Sequence, residues 1–95
     1  MPRLHQLNQA QYIENTENEL KQSLNPQDAL ILIEEAVLRT LNNDALINYA
    51  KSLNVKVFAL EEYIESYGIK TNKVEIITPD QWLVLTADFE QHTAW

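Results

Sequence analysis

Three short apolar runs recur along the chain, and amphipathic stretches separate them. The runs are Ala29 to Ile33, Val55 to Leu60 and Val74 to Ile77. Parallel strands need crossovers of about a dozen residues or more, usually helices, and the separating stretches meet that need. The runs are nearly continuous in Val, Ile and Leu, as expected for strands buried on both faces. The alternation therefore predicts an α/β fold with a parallel sheet.

Two weaker strand candidates lie at the ends of the sequence. Arg3 to Leu7 is a candidate for a first strand, and Thr93 to Trp95 is a candidate for a last one. A chain of 95 residues is near the small end of the domain range. We therefore expect one domain that spans residues 1–95.

Helical spacing of apolar residues predicts the crossovers. In the first, Ile13, Leu20 and Leu24 fall on one stripe, as expected for a narrow core-facing surface. Asn43 or Asp44 is a suitable N-cap for another, and Gly68, the only glycine, suits the left-handed position just past a helix end. The predicted helical stretches are Tyr12 to Leu24, a short turn over Ala36 to Leu41, Asp44 to Asn54, and Glu61 to Gly68.

The clearest local signal is the segment Thr78-Pro79-Asp80-Gln81. It combines an N-cap hydroxyl, a proline at the first helical position and a glutamine three residues beyond the cap. Trp82, Leu85 and Phe89 follow at helical spacing. The pattern predicts a last helix that begins here and runs to about Glu90.

The charge balance argues against direct contact with nucleic acid. Fourteen acidic residues against seven Lys and Arg give a formal net charge of −7. Phosphate contacts come mainly from Lys and Arg, so a surface that binds RNA or DNA normally has the opposite sign. The acidic residues are spread along the chain, which favours a role in solubility over a dedicated basic partner.

Two missing residue types exclude several kinds of chemistry. The chain has no cysteine, which excludes disulfides, thiolate metal ligands, thiol nucleophiles and a persulfide carried by this polypeptide. A single glycine cannot build the glycine-rich turn of a dinucleotide or phosphate site.

The sequence also bears on location. Residues 1–5 lack the apolar core of a signal peptide, and no apolar stretch reaches the roughly 18 to 20 residues that span a bilayer. We expect a cytoplasmic protein that does not enter a membrane.

Open α/β sheets bind ligands at the carboxyl ends of their strands, so the residues that follow the apolar runs are candidates. Adjacent carboxylates can act as acid and base, although such pairs in loops are usually only solvated. Glu61 and Glu62 are already explained by the negative charge that a helix start favours. The candidate ligand-binding residues at the carboxyl ends of the predicted strands are Asn8, Glu34, Glu35, Glu61, Glu62 and Thr78.

Histidine and tryptophan give fewer indications. His5 and His92 are far apart in sequence and show no metal-ligand spacing, so no metal site is predicted. His5 on a short strand is expected to be a half-buried hydrogen-bonding residue. Trp82 fits a core position, whereas Trp95 fits either a packing or an interface role, because chain ends fray unless they are held.

Four segments together resemble the TusB/DsrH family over nearly the whole chain. They agree with it in order and spacing, although Ala36 stands where a glycine is expected. The segments are Leu4-His5-Gln6-Leu7, Asp28 to Val37, Val55 to Glu62, and Ala94-Trp95.

The resemblance implies a three-layer α/β/α fold with a mostly parallel five-stranded sheet. It also implies a complex of three related subunits. In the TusBCD assembly, a heterohexamer, sulfur is relayed as a persulfide towards 2-thiolation of the wobble uridine of tRNA. In the related DsrEFH assembly, the setting is dissimilatory sulfur oxidation.

A chain without cysteine would then be a non-catalytic subunit that needs no cofactor, and its partners would be TusC-like and TusD-like subunits. The reactive cysteine would lie on the TusD-like partner. Three alternatives stay open: a DsrH-like subunit for sulfur oxidation, a small carboxylate-based α/β enzyme, and a stand-alone interaction module. Candidate partner-interface residues are Glu34, Glu35, Ala36 and Val37 in the loop that runs to Leu38, together with Trp82 and Trp95.

Overall fold

The computed structural model describes residues 2–95, in which strands and helices alternate along the chain. Four α-helices and one 3-10 helix connect five strands in this part of the chain. None of these helices is long and apolar enough to cross a membrane. In chain order the elements are β1 (Arg3–Leu7), α1 (Glu14–Ser23), β2 (Ala29–Leu32), the 3-10 helix (Glu34–Leu41), α2 (Ala45–Ser52), β3 (Lys56–Leu60), α3 (Glu61–Ser66), β4 (Glu75–Ile77), α4 (Pro79–Asp88) and β5 (Gln91–Ala94).

The five strands form one sheet in the order β4-β3-β2-β1-β5. Every neighbouring pair is parallel, so the predicted parallel five-stranded sheet is confirmed. Leu4 of β1 pairs with Ala29 of β2 on one side and with His92 of β5 on the other. The first strand therefore lies inside the sheet, and the last strand forms one of its edges.

The strand order explains how the helices divide between the two faces. From β1 to β4 the chain advances one strand at a time in one direction, and from β4 it returns across the sheet to β5. Crossovers between parallel strands are right-handed, so a reversal of direction moves the connecting helix to the other face. Accordingly α1, α2, α3 and the 3-10 helix pack on the face that carries Leu7 and Leu30. Helix α4 covers the face that carries Leu4 and Ile31, where Tyr63 of α3 also packs.

Local signals for helix ends are confirmed. The carboxylate of Asp44 accepts a 3.0 Å hydrogen bond from the backbone N–H of Ile47 and caps α2. Thr78 and Gln81 form a reciprocal capping box at the start of α4. Gly68 lies just past the C-cap of α3 with φ of 65°, in the left-handed region that glycine adopts without strain.

Some boundaries differ from the prediction. Helix α1 begins at Glu14 rather than Tyr12, because the Glu17 side chain accepts a 2.8 Å hydrogen bond from the backbone N–H of Tyr12 and holds that residue in the preceding loop. The last strand begins earlier than predicted, at Gln91, because its pairing with β1 starts opposite Arg3.

Candidate functional site

A chain of hydrogen bonds joins three side chains from distant parts of the sequence. Nε2 of His5 lies 2.9 Å from Oδ2 of Asp28, and Nε1 of Trp95 donates a 3.1 Å hydrogen bond to Nδ1 of His5. The rings of His5 and Trp95 are stacked, with centroids 6.3 Å apart and 24° between their planes. We call this set the Asp28–His5–Trp95 relay.

The partners fix the tautomer of His5. An indole N–H can only donate, so Nδ1 of His5 must accept. The proton of the neutral ring is therefore on Nε2, where it is donated to Asp28. This is the pattern in which a carboxylate orients an imidazole, but the side chain of His5 is fully buried and its second nitrogen is occupied by Trp95. The relay is built to hold the chain in place and offers no free base to a substrate.

Asp28 reaches its place because the turn before β2 folds around its carboxylate. The backbone N–H groups of Arg3 and Asn25 donate to Asp28 over 2.9 and 3.1 Å, in addition to His5. The carboxylate thus receives three hydrogen bonds while only 2% of the residue is exposed. It joins β1, through Arg3 and His5, to the loop between α1 and β2.

Trp95 is held by its backbone as well as by its side chain. Its N–H donates 2.9 Å to the carbonyl of Gln6 and extends the pairing between β5 and β1 by one residue. Its half-buried ring packs against the core on the α1 face of the sheet. The structure thus gives Trp95 a packing role within this chain.

A second polar cluster surrounds Arg39, near the C-terminal end of the 3-10 helix. The guanidinium makes a two-point contact with Glu17, with Nη2 to Oε2 at 2.8 Å and Nη1 to Oε1 at 3.2 Å. It also lies 3.4 Å from Asp44, donates through Nε to the carbonyl of Gln9, and sits 5.5 Å from the ring centroid of Tyr12. Arg39 is 2% exposed, so this cluster fixes the loop after β1 against α1 and α2.

The cluster shifts two pKa values in directions that favour the ion pair. Burial alone would raise the pKa of Glu17, but the hydrogen bonds from Arg39 and from Tyr12 N–H and the charges of Arg39 and Lys21 together lower it. Burial alone would lower the pKa of Arg39, but the hydrogen bond and charge of Glu17 and the charge of Asp44 raise it. Both groups are therefore charged at neutral pH.

The carboxyl ends of the strands carry the predicted acidic residues without enclosing them. Glu34, Glu35 and Glu62 are exposed, and Glu61 opens α3. Partial desolvation, followed by the charges of Glu62 and Glu34, raises the pKa of the Tyr63 phenol. This edge therefore gathers negative charge on an open surface. Its carboxylates are solvated, as adjacent carboxylates in loops usually are, and do not form an enclosed acid–base pair.

The other two candidates at this edge are used locally. The backbone N–H of Asn8 donates 3.1 Å to the hydroxyl of Tyr12, and its side-chain oxygen accepts from that hydroxyl at 3.2 Å. Thr78 is the N-cap of α4. Both side chains have structural partners within the chain.

In the segment that follows β2, Glu34 has a strained backbone, with φ of 50°. A left-handed conformation costs a residue with a side chain about 1–2 kcal/mol. Ala36, where the family resemblance led us to expect glycine, is fully buried in the 3-10 helix and is not among the residues with positive φ. Alanine is thus accommodated there, and the special backbone lies two residues earlier.

The interface candidates divide into two groups. Ala36 and Val37, which the sequence placed at a partner interface, are instead fully buried in the chain's own core, and their side chains face inward. The first turn of the 3-10 helix instead presents Glu34 and Glu35. Trp82 packs half-buried against the α4 face of the sheet, and its indole N–H is buried without a hydrogen-bond partner among residues 2–95.

Sequence reasoning missed the burial of Asp28, Arg39 and His5. His5 was expected to be half-buried but is fully buried. Arg39 had a signal, since it is a lone cation in the apolar segment Ala36 to Leu41. Asp28 had one too, because it directly precedes an apolar strand. Over residues 2–95, no group of three His, Asp or Glu side chains is arranged to hold a metal ion.

Comparison with known proteins identifies one family. The family model described as "DsrH like protein" matches residues 11–92, which is most of the chain. The matched range includes Asp28 and the ionic group of Glu17, Arg39 and Asp44, while His5 and Trp95 lie outside it. A search of curated proteins found no match.

Proposed function

Because the chain belongs to the DsrH-like family of sulfur-relay-related proteins, we propose that it is a non-catalytic subunit of a TusBCD-type complex. The complex supports 2-thiolation of the wobble uridine of tRNA. Its other members are a TusC-like and a TusD-like subunit, which join this chain in a heterohexamer. The reactive cysteine belongs to the TusD-like subunit.

The observation that carries the proposal is the absence of cysteine in a member of this family. A relayed persulfide needs a thiolate as its carrier, and no side chain here supplies one. Our assignment of the relay step to a partner follows from this.

The polar side chains of the chain support a structural role. Its buried ionisable groups, Asp28, His5 and Arg39, are engaged with one another or with neighbouring segments. The exposed carboxylates Glu34 and Glu35 lie on an open surface. The net charge of −7 favours a subunit that leaves contact with tRNA to its partners.

Deletion of the gene in its native host tests the proposal, with mass spectrometry of the thiolated wobble uridine in total tRNA as the readout. We expect the thiolated nucleoside to disappear and to return when the wild-type chain is supplied. A tagged wild-type chain should also purify with two related α/β proteins, of which one has a cysteine that accepts labelled sulfur.

A matched variant separates a structural role from a catalytic one. The double variant Glu34→Gln and Glu35→Gln removes both exposed carboxylates, and we expect it to restore thiolation fully. Loss of thiolation in an intact complex would show that the carboxylates take part in chemistry. A deletion strain with normal tRNA thiolation and a defect in sulfur oxidation would instead place the chain in a DsrEFH-type complex.

A further inference from the structure

Helix α4 is apolar on both of its sides. Trp82, Leu85 and Phe89 pack inward against the sheet. Leu83 and Val84 point the other way and are 72% and 63% exposed. A helix that is apolar all round is usually covered on both faces, whereas a surface helix has a polar outer face. We call Pro79, Leu83, Val84 and Ala87 the outer α4 patch.

The layer that contains α4 is also incomplete. One face of the sheet is covered by α1, α2, α3 and the 3-10 helix, but the other is covered by α4 with only Tyr63 of α3 beside it. No residue of α4 is buried. Two open depressions flank the helix, one of about 320 Å³ beside Leu83 and one of about 230 Å³ beside Val84, and apolar side chains contribute to both.

The charged residues around the outer α4 patch indicate which kind of partner it can bind. Residues 74–95 include Glu75, Asp80, Asp88 and Glu90 but no Lys or Arg. Glu75 and Asp88 line the same depression as Val84. Lys56, at the amino edge of the sheet, lines another depression together with Asp88. The patch is therefore an apolar strip with an acidic border.

We propose that the outer α4 patch docks a different protein subunit, whose contact surface is apolar at its centre and bordered by Lys and Arg. A second copy of this chain would bring two acidic borders together, which costs binding energy. Nucleic acid and anionic membranes are repelled by the same carboxylates. The proposal rests on the proposed function, because the occupant is one of the two related subunits.

Binding measurements on the full chain test the proposal, with the purified TusC-like and TusD-like subunits of the same organism as probes. Leu83→Asp and Val84→Asp place a charge in the middle of the patch, and we expect each to weaken binding by about tenfold or more. Both side chains are mostly exposed, so the variants should keep the wild-type unfolding midpoint in urea. Ile13→Asp is the matched control: Ile13 is 74% exposed, lies on the other layer, and occupies the N-cap of α1, where aspartate is favoured.

A second pair of variants tests the charge. Asp88→Lys reverses a charge at the border and should slow association and reduce its dependence on salt. Glu19→Lys makes the same change on exposed α1 and should have little effect. Equal effects of the two reversals would overturn the acidic-border part of the proposal.

The outcomes distinguish this proposal from the one on which it rests. If the wild-type chain binds the subunits and the Leu83 and Val84 variants bind equally well, the patch is not the docking surface, although the proposed function stands. If the wild-type chain binds neither subunit, both proposals are overturned. If the chain alone forms a dimer that Leu83→Asp dissociates, the occupant is a second copy, and the proposal of a basic partner is wrong.

Discussion

The indole N–H of Trp95 donates to Nδ1 of His5, which lies 90 residues earlier in the chain. This hydrogen bond joins the last residue of the sequence to the middle of β1. His5 is fully buried and stacked against the Trp95 ring, so a ring without an N–H at position 95 leaves Nδ1 covered but without a donor. Loss of this hydrogen bond should therefore lower the free energy of unfolding more than loss of an exposed hydrogen bond would.

Trp95→Phe should destabilise the protein by about 1–3 kcal/mol, because it keeps an aromatic ring but leaves a buried acceptor unpaired. Urea unfolding followed by circular dichroism measures the change. Trp82→Phe is the matched control, since the Trp82 N–H is buried without a partner in the part of the chain that the structure describes, and its removal relieves a polar cost. We expect that control to change the free energy of unfolding by less than about 1 kcal/mol. Equal losses of unfolding free energy in the two variants would contradict a stabilising role for the hydrogen bond between Trp95 and His5.

Asp28→Asn should cost about 3 kcal/mol, because an amide places N–H donors where the carboxylate accepts from three other donors. The unfolding midpoint in urea gives the change. Asp88→Asn, at an exposed position of α4, makes the same chemical substitution and should be nearly neutral. A stability for Asp28→Asn within the error of Asp88→Asn would show that the three hydrogen bonds contribute little.

The pH dependence of stability should report on Glu17. Its pKa is lowered in the folded protein from its ordinary value of 4.5. The ionised carboxylate therefore stabilises the folded state above pH 4.5, and this contribution is lost as the pH falls through the lower folded value.

Urea titrations at about pH 6 and about pH 3 measure this loss, and Glu17→Gln should show a smaller decrease than the wild type. Glu19→Gln, on the exposed side of the same helix, is the control and should follow the wild-type curve. If Glu17→Gln lost as much stability between the two pH values as the wild type, the result would argue against the ion pair with Arg39.

Glu34→Gly should stabilise the protein by up to about 1 kcal/mol, because it relieves a left-handed residue at φ of 50°. It should also lower the pKa of the Tyr63 phenol, since Glu34 is one of the charges that raise it. Glu35→Gly, one residue further into the 3-10 helix, should be destabilising. Thermal unfolding and ultraviolet titration of tyrosine test both effects, and a stabilising Glu35→Gly would refute the assignment of strain to Glu34.

Much of the architecture could be predicted because its determinants are local. The apolar residues of the run Val55 to Leu60 are buried on both faces of the sheet, and the capping box at Thr78 depends on four consecutive residues. The parallel arrangement followed from the length of the connections. The start of helix α1 shifted by two residues because the Glu17 side chain binds the backbone N–H of Tyr12.

The polar clusters could not be predicted, because their partners are far apart in sequence. The burial of His5 depends on Asp28 and Trp95, and the burial of Arg39 depends on Glu17 and Asp44. Ala36 and Val37 were assigned to a partner surface although a short helical turn was predicted from Ala36, because the sequence does not show that this turn packs both side chains into the core.

The position of β5 beside β1 has a consequence for synthesis. Ribosomes make β1 first, and the strand that completes its pairing is made only at residues 91–94. Until then each nascent chain presents β1 as an open strand edge, to which another unfinished polypeptide can add. The open backbone of β1 is therefore exposed to aggregation until residues 91–94 pair with it.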